Sequence, residues 1–291
     1  TADSAMHLNK QAPAELVSFF DVSVNQSSKR QHLVENQLRR ALENDELSLV
    51  IQPKVHLQDP NNLAGEVLLR WRNDTLGAVS PAEFIPLAEQ TGLILDITKW
   101  VFEQACQLSR DLRDVHGLPI KLAVNISPQV FIGKQDFPDF FASTLMRYGV
   151  NATAFELEVT EYVLMHQAED TLNTFHRLQA MGFTIALDDF GTGYSSLSYL
   201  SRFDIDTLKI DRLFVSTMES ERSRKLVRSM VVLAQQLGME TVAEGVENRA
   251  QQEYLLARGC RLFQGYHFHR PMSVEAFEAL LSGDEVEAGQ G

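Results

Sequence analysis

Residues 154–189 contain a complete strand–helix–strand pattern, AFELEVTEYVLMHQAEDTLNTFHRLQAMGFTIALDD. A β-rich run, 154–160, precedes an amphipathic helical pattern at about 167–181. Gly182 ends that helix, because glycine accepts the left-handed conformation that follows many helices. A second β-rich run, 183–189, comes next. Strands that alternate with helices in this way are typical of a parallel sheet.

The same pattern recurs from residue 45 onward. The helical segments carry start and stop signals, such as Ser80-Pro81 before one helix and Gly92 after it. The β-rich runs are 47–55, 63–71, 120–127, 154–160, 183–189, 205–211, 239–245 and 260–265. Eight strands alternating with helices predict an α/β fold, a TIM-like (β/α)8 barrel. A doubly wound open sheet is the alternative, although that fold more often uses fewer strands.

The connection between the first two runs does not fit a regular barrel. It covers only about 55–63, which is too short for the crossover helix that two parallel strands need. We therefore expect the first two strands to form an antiparallel hairpin. Residues 46–282 form the predicted barrel, residues 28–45 a linker or leading helix, and residues 283–291 a frayed tail.

The composition is ordinary for a globular domain, but its charge balance is strongly acidic. The chain has 291 residues and a formal net charge of −13. Proteins that bind a nucleic-acid polymer usually carry a basic patch, so this class is not favoured. An anionic substrate would need another source of attraction, such as a divalent cation. Cys106 and Cys260 provide no disulfide framework, and no apolar run approaches a membrane span, so we expect a cytoplasmic domain.

Polar side chains stand on the predicted strands, mostly at or near their carboxyl ends. They are Glu66, Asn125, Glu158, Asp188, Asp189, Lys209, Glu244 and Gln264. In a (β/α)8 barrel these strand ends converge on one face, where the active site lies. Carboxylates brought together there would repel one another unless cations neutralised them, and oxygen ligands in this number suit Mg²⁺ or Mn²⁺. We expect two such ions, which could hold a nucleophile and a phosphodiester together.

Each of these residues also has a purely structural interpretation. A single Glu or Asp at a strand end often caps a helix, and Lys209 could form an ion pair with Asp206 or Asp211. Together the residues favour a functional site, because a charged residue such as Glu66 is unexpected inside an apolar strand. The glycine-rich loop 190–196 could bind a phosphate, cap the next helix or act as a mobile gate.

A series of motifs along the chain occurs together in one known family. EVLLRW at 66–71 is close to the signature EALLRW, and the central ALDDFGTGYSSLSYL at 186–200 is highly specific. The other motifs are FIPLAEQTGLI (84–94), AVNIS (123–127), ELEVTE (156–161), LKID (208–211), VAEGVE (242–247) and QGYHFHRP (264–271). Over about residues 30–282, the chain thus resembles the EAL domain family of cyclic-di-GMP phosphodiesterases.

The resemblance implies a role for each matching residue. Expected metal ligands are Glu66, Asn125, Glu158, Asp188, Asp189 and Glu244. Expected catalytic residues are Glu66, Asp188, Asp189, Glu244 and Lys209, the last in contact with the reacting water. Expected substrate-binding residues are Gln52, Leu69, Arg70, Glu247, Gln264 and Pro271. Glu161 is expected to hold the loop 190–196, and Arg70 offers a fork for a phosphate oxygen.

The resemblance also implies a reaction and partners. The family hydrolyses one phosphodiester bond of cyclic-di-GMP to linear pGpG, commonly forms homodimers, and controls biofilm and motility in bacteria. Residues 1–27 resemble the tail of a diguanylate cyclase (GGDEF) domain. We therefore expect a tandem protein with upstream GGDEF or sensory domains, either free in the cytoplasm or anchored to the inner membrane.

Some members of the family have lost catalysis, so departures from the family pattern matter. Val67 replaces the signature alanine, Tyr162 a serine and Arg261 an aspartate, and Asn73-Asp74 replaces His-Pro. None of these changes removes an expected ligand. Val67 should point away from the site, because neighbours in a strand face opposite sides. We expect an active enzyme, with a silent cyclic-di-GMP receptor and an interaction scaffold as alternatives.

Overall fold

The structure is a computed structural model. It describes residues 29–59, 62, 64–117, 120–132, 136–165, 169–191, 200 and 202–283. The GGDEF-like segment at 1–27, residues 284–291 of the expected tail and residues 192–196 of the glycine-rich loop lie outside the described residues.

Strands and helices follow the predicted alternation. The strands are β1 Leu47–His56, β2 Ala64–Asn73, β3 Gly77–Val79, β4 Lys121–Asn125, β5 Phe155–Thr160, β6 Thr184–Asp188, β7 Thr207–Ile210, β8 Glu240–Ala243 and β9 Leu262–Phe263. The helices are α1 at 29–41, α2 Pro81–Thr91, α3 Ile94–His116, α4 Gln129–Ile132, α5 Phe137–Tyr148, α6 Glu161–Met165, α7 Glu169–Met181, α8 Arg212–Ser216, α9 Glu221–Gln236, α10 Arg249–Leu256 and α11 Val274–Ser282. A short 3-10 helix, Ala152–Ala154, leads into β5.

Eight of these strands close into a barrel. The hydrogen-bonded order is β1-β9-β8-β7-β6-β5-β4-β2, and β1 also pairs with β2, which closes the ring. From β2 to β9 the neighbours in the ring run parallel, whereas β1 is antiparallel to β9. The predicted TIM-like barrel with an antiparallel first strand is confirmed. The alternative of an open doubly wound sheet is wrong, because the two strands that would form its edges pair with each other.

The strand register brings polar side chains to the inside of the barrel. Asn125 of β4 pairs with Glu158 of β5, which in turn pairs with Ala186 of β6. Paired positions in neighbouring parallel strands point to the same side of the sheet, so these three residues share the inward face. Asp188 stands two residues further along β6 and shares that face. The carboxyl ends of the parallel strands therefore form one polar mouth.

Aromatic packing holds the strands that carry these carboxylates. Phe102 of α3 contacts Phe141 of α5 and Phe155 of β5, and Phe183, which precedes β6, contacts all three rings. The ring centroids lie between 4.4 and 6.3 Å apart in these pairs. Buried ring pairs at such distances contribute stability beyond their area burial. The cluster thus fixes α3 and α5 against β5 and β6.

Helix α3 has a clear amphipathic pattern. Its 23 residues bury Ile97, Val101, Ala105, Leu108 and Leu112, which recur every three or four positions. The opposite face is charged and exposed. Among the described residues, no helix combines the length and the apolar character that crossing a membrane requires.

Several short elements had no sequence signal. β3, α4, α6 and α8 contain three to five residues, too few to show a periodic pattern. α11 is longer and was also missed, although Ser273 caps it by accepting a hydrogen bond from the Ala276 N–H. The predicted ends of α2 are observed: Pro81 is its first residue and Gly92, with a φ of 78°, follows its last, although the Ser80 side chain makes no capping hydrogen bond.

Residues 29–47 and 71–93 form a compact unit of their own. The Glu46 carboxylate accepts hydrogen bonds from Trp71 Nε1 and Asn73 Nδ2, both at 2.9 Å. Trp71 is only 1% exposed, so its indole N–H has no access to water. Glu46 therefore satisfies a donor that would otherwise be buried without a partner.

Within the same unit, α1 contributes both an apolar face and a charged contact. Val34, Leu38 and Ala41 are buried at helical spacing. Arg30 pairs with Glu83 of α2 at 2.7 Å on the surface. The apolar face carries most of the stabilisation, because exposed ion pairs contribute little.

We predict that Glu46→Ala destabilises the protein. The change leaves the Trp71 indole N–H unsatisfied, which costs about 1–3 kcal/mol of unfolding free energy. Urea denaturation followed by tryptophan fluorescence measures the effect. Glu43→Ala, at an exposed position next to α1, is the control and should change the free energy by less than about 0.5 kcal/mol. Equal stabilities of the two variants would contradict the role of Glu46.

The two cysteines should be unreactive in the folded protein. Burial raises the pKa of the Cys106 thiol to about 12 and that of Cys260 to about 11. The thiolate is the nucleophile, so both thiols should resist Ellman's reagent at neutral pH. In guanidinium chloride both should react. Rapid labelling of the native protein would show that one of the two thiols is accessible.

Candidate active site

A cavity of about 220 Å³ lies at the carboxyl ends of the parallel strands. Seven predicted site residues line it: Gln52, Glu66, Asp188, Lys209, Glu244, Glu247 and Gln264. Four lining residues were not predicted: Arg212, Gly245, Gly265 and Tyr266. Seven other predicted site residues are not among the described residues that line the cavity: Leu69, Arg70, Asn125, Glu158, Glu161, Asp189 and Pro271.

Lys209 lies at the centre of a buried group of carboxylates, here called the Lys209 cluster: Lys209, Glu66, Glu158, Asp188 and Glu244. Its Nζ is 2.6 Å from Glu158 Oε2, 2.7 Å from Glu244 Oε1 and 2.9 Å from Asp188 Oδ2. Glu66 Oε2 is more distant, at 3.8 Å. Lys209 is only 1% exposed. Four strands or strand ends thus direct acidic groups at one ammonium.

The cluster carries more negative than positive charge. Burial and repulsion from other carboxylates raise the pKa of Glu244 to about 8, despite the attraction of Lys209. Burial and repulsion from Glu158 also raise the pKa of Glu66. Burial acts on Glu158 in the same direction, but Lys209 and Lys54 outweigh it and hold the pKa of Glu158 at about 2. The charge of Glu158 is therefore balanced, whereas Glu66 and Glu244 lack full compensation.

Two amides hold the Glu66 carboxylate in place. Asn125 Nδ2 donates to Glu66 Oε1 and Gln264 Nε2 donates to Glu66 Oε2, both at 2.7 Å. Gln264 also donates to Gln52 Oε1 at 3.0 Å. Its own Oε1 is buried without a hydrogen-bond partner among the described residues. The Oε1 of Gln264 can therefore still accept a hydrogen bond or bind a cation.

The aspartate pair begins a turn with a left-handed residue. Asp189 has a φ of 57°, which is uncommon for a residue other than glycine, and its N–H donates to Asp188 Oδ1 at 2.8 Å. Burial, followed by repulsion from Asp188 and Asp211, raises the pKa of Asp189. The Gly191 N–H donates to Glu161 Oε2 at 3.3 Å. Glu161 thus contacts the described start of the glycine-rich loop.

The donor set suits a hard divalent cation. The Lys209 cluster supplies four carboxylates, and the unpartnered Oε1 of Gln264 adds an amide oxygen. Mg²⁺ and Mn²⁺ prefer oxygen ligands of this kind. In the structure the carboxylates are held by Lys209. Among the described residues, no three or more acidic, histidine or cysteine side chains are placed as the ligands of one metal ion would be. The residues fit such ions in chemistry and in charge.

The remaining predicted substrate residues lie around the mouth. Arg70 is half-buried, and its guanidinium donates to the Leu69 carbonyl at 2.9 Å. Burial lowers the pKa of Arg70 below its usual value. Glu247 pairs with Arg212 at 2.7 Å. Pro271 is partly buried after β9.

Sequence patterns missed four polar or aromatic residues of this region. Arg212 and Tyr266 follow strands, where loop geometry and not periodicity decides which side chains reach the cavity. Lys54 and Glu156 are buried inside the barrel. The sequence could have indicated Lys54 and Glu156, because each lies two residues from a predicted site residue, Gln52 or Glu158, and therefore on the same face of the strand.

Curated relatives of this chain are longer proteins. The bifunctional diguanylate cyclase/cyclic di-GMP phosphodiesterase MucR of Pseudomonas aeruginosa is 39% identical over 282 residues, which are 97% of this chain and 41% of MucR. The cyclic di-GMP phosphodiesterase NbdA of the same organism is 36% identical over an alignment of 291 positions, which covers 99% of this chain and 37% of NbdA. The chain therefore spans about two fifths of the length of these relatives.

A solved structure and a family model agree with these relatives. The PaMucR phosphodiesterase in its c-di-GMP complex has a TM-score of 0.78 and 40% sequence identity, over 84% of this chain and 98% of that one. A model of the EAL domain matches residues 35–271. The resemblance seen in the motifs is confirmed: this chain belongs to the EAL domain family.

Proposed function

We propose that this domain hydrolyses one phosphodiester bond of cyclic di-GMP and releases linear pGpG, using two Mg²⁺ or Mn²⁺ ions. The Lys209 cluster carries the proposal, because it places acidic oxygen donors and a buried cation at the mouth of an EAL barrel. The names of MucR and NbdA, and the c-di-GMP complex of PaMucR, support the substrate. No expected ligand is replaced, which favours a catalyst over a silent receptor.

Six residues are proposed to hold the ions, by their match to the family motifs: Glu66, Asn125, Glu158, Asp188, Asp189 and Glu244. When bound, divalent ions polarise a phosphate and increase the acidity of water at neutral pH. The protein contributes the framework. Asn125 and Gln264 orient Glu66, and Lys209 gathers Glu158, Asp188 and Glu244.

Lys209 is proposed to act on the reaction directly. Its ammonium is buried and held by Glu158 and Asp188, so a positive charge is fixed in position at the mouth before a substrate arrives. Preorganised charges of this kind stabilise a transition state more than mobile ones do. We assign Lys209 to orienting the attacking water and stabilising negative charge on the phosphate.

The rim of the cavity is proposed to bind the dinucleotide. Arg70 presents a planar fork that suits a phosphate oxygen. Glu247, oriented by Arg212, offers an acceptor to the N–H groups of a base. Amide groups and apolar surfaces complete the proposed contacts, from Gln52, Gln264, Leu69 and Pro271.

The setting of the domain also remains a proposal. Because MucR is named as a diguanylate cyclase as well as a phosphodiesterase and is longer than this chain, we propose an upstream GGDEF domain here too. The homodimer, the cytoplasmic location and the inner-membrane anchor of a full-length protein stay predictions, as do the domain boundaries.

Chromatography of cyclic di-GMP incubated with the purified domain tests the reaction. With Mg²⁺ or Mn²⁺ we expect pGpG to accumulate, because the ions offset the excess negative charge of the cluster. EDTA should stop the reaction, and excess Mn²⁺ should restore it.

Three other results would contradict the proposal. Binding of cyclic di-GMP without product would indicate a receptor. Neither binding nor product would indicate a scaffold. Product formation that persists at the same rate in excess EDTA would rule out the metal requirement.

Asp188→Asn tests the assignment of the aspartate to the chemistry. The change keeps the shape of the side chain and removes one charge, so we expect kcat to fall by roughly 100-fold or more while Tm stays nearly constant. Glu240→Gln is the matched control, because Glu240 is exposed at the opposite end of the barrel, at the start of β8. A kcat close to that of the control would remove Asp188 from the site.

A further inference from the structure

A second buried lysine lies deeper in the barrel than the Lys209 cluster. Lys54 of β1 is 5% exposed and shares a strand face with Gln52, which lines the cavity. Because β1 runs antiparallel to β9, the step from Gln52 to Lys54 leads away from the mouth. None of the roles expected for the active site uses this lysine.

Lys54 connects the cluster to polar groups beneath it. Its Nζ donates to Glu158 Oε1 at 2.8 Å and to Glu156 Oε1 at 2.6 Å. The other oxygen of Glu156 accepts a hydrogen bond from Thr207 Oγ1 at 2.8 Å. Glu158 is consequently held at both ends, since Lys209 contacts its Oε2 at 2.6 Å.

Small neighbours make room for this network. Glu156 pairs in register with Ala123, and Glu158 pairs with Ala186. Bulky branched side chains more often fill the interior of such barrels. Two alanines at these positions leave space for the long side chain of Lys54.

The charges within the network are matched. Burial alone would lower the pKa of Lys54, but Glu158 and Glu156 outweigh it and raise that pKa above its usual value. Breaking such a buried pair at one end is costly, because it leaves an uncompensated charge. Lys54 and Glu156 therefore form a unit whose members depend on each other.

We propose that Lys54 is a positioning residue of the phosphodiesterase, which acts through Glu158 by committing Oε1 to the barrel interior and leaving Oε2 directed at the Lys209 cluster. The inference rests on the proposed function, in which Glu158 is a metal ligand. Groups that orient a ligand from behind influence metal affinity and activity.

Lys54→Met tests this role, because methionine keeps much of the length of the side chain without its charge. We expect Mn²⁺ binding, measured by calorimetry, to weaken about tenfold, and kcat at saturating Mn²⁺ to fall by about tenfold or more. The calorimetric measurement does not depend on turnover.

Two further variants separate positioning from stability. Lys54→Met combined with Glu156→Gln removes both partners of the ion pair, so we expect Tm to recover relative to Lys54→Met while Mn²⁺ affinity stays low. Leu178→Ala is the control: this fully buried residue of α7 does not line the cavity. It should lower Tm and leave Mn²⁺ affinity of the folded protein unchanged.

Several outcomes would overturn the inference. If Lys54→Met binds Mn²⁺ as tightly as the wild type or more tightly, Lys54 only stabilises the fold and does not position Glu158. Recovery of Mn²⁺ affinity in the double variant would lead to the same conclusion. If Lys54→Met does not fold, the double variant alone decides between these outcomes. A wild-type protein that binds Mn²⁺ without cleaving cyclic di-GMP would refute the proposed function and leave the Lys54 test intact, whereas a wild type that binds no Mn²⁺ would overturn both.

Discussion

The ammonium of Lys209 makes the polar mouth of this barrel compatible with folding. Carboxylates from β2, β5, β6 and the end of β8 converge there because parallel strands end on one face. Without a central cation their repulsion in a buried space would oppose closure of the ring. Apolar packing around the barrel brings the strands together, and Lys209 allows their acidic ends to stay together.

Charge is distributed unevenly along the barrel axis. In the deeper part, Glu156 and Glu158 face Lys54 and Lys209, and each carboxylate has an ionic partner. Nearer the opening, Glu66 and Glu244 lack full compensation. The charges are thus balanced in the deep, closed part of the barrel. The excess of negative charge lies at the mouth, where ions and substrate can enter.

Much of the fold could be predicted from the sequence. The alternation of strands and helices and the short gap near residue 60 were enough for a barrel with an antiparallel first strand. The suggested ion pair of Lys209 with Asp206 or Asp211 was wrong, because both aspartates accept hydrogen bonds from backbone N–H groups instead. Asp206 accepts a hydrogen bond from the Ile185 N–H, and Asp211 caps α8. Sequence neighbours are poor guides to partners in a barrel, where residues on other strands are closer.

The contact between Lys54 and Glu156 also constrains how this sequence can change over evolutionary time. Loss of Lys54 first would leave two buried carboxylates with one fewer cation, whereas loss of the Glu156 charge first would leave Lys54 paired with Glu158. The two positions are coupled, so the effect of a substitution at one depends on the residue at the other. Lineages that exchange this pair for an apolar one should therefore pass through a neutral residue at position 156 before they lose the lysine.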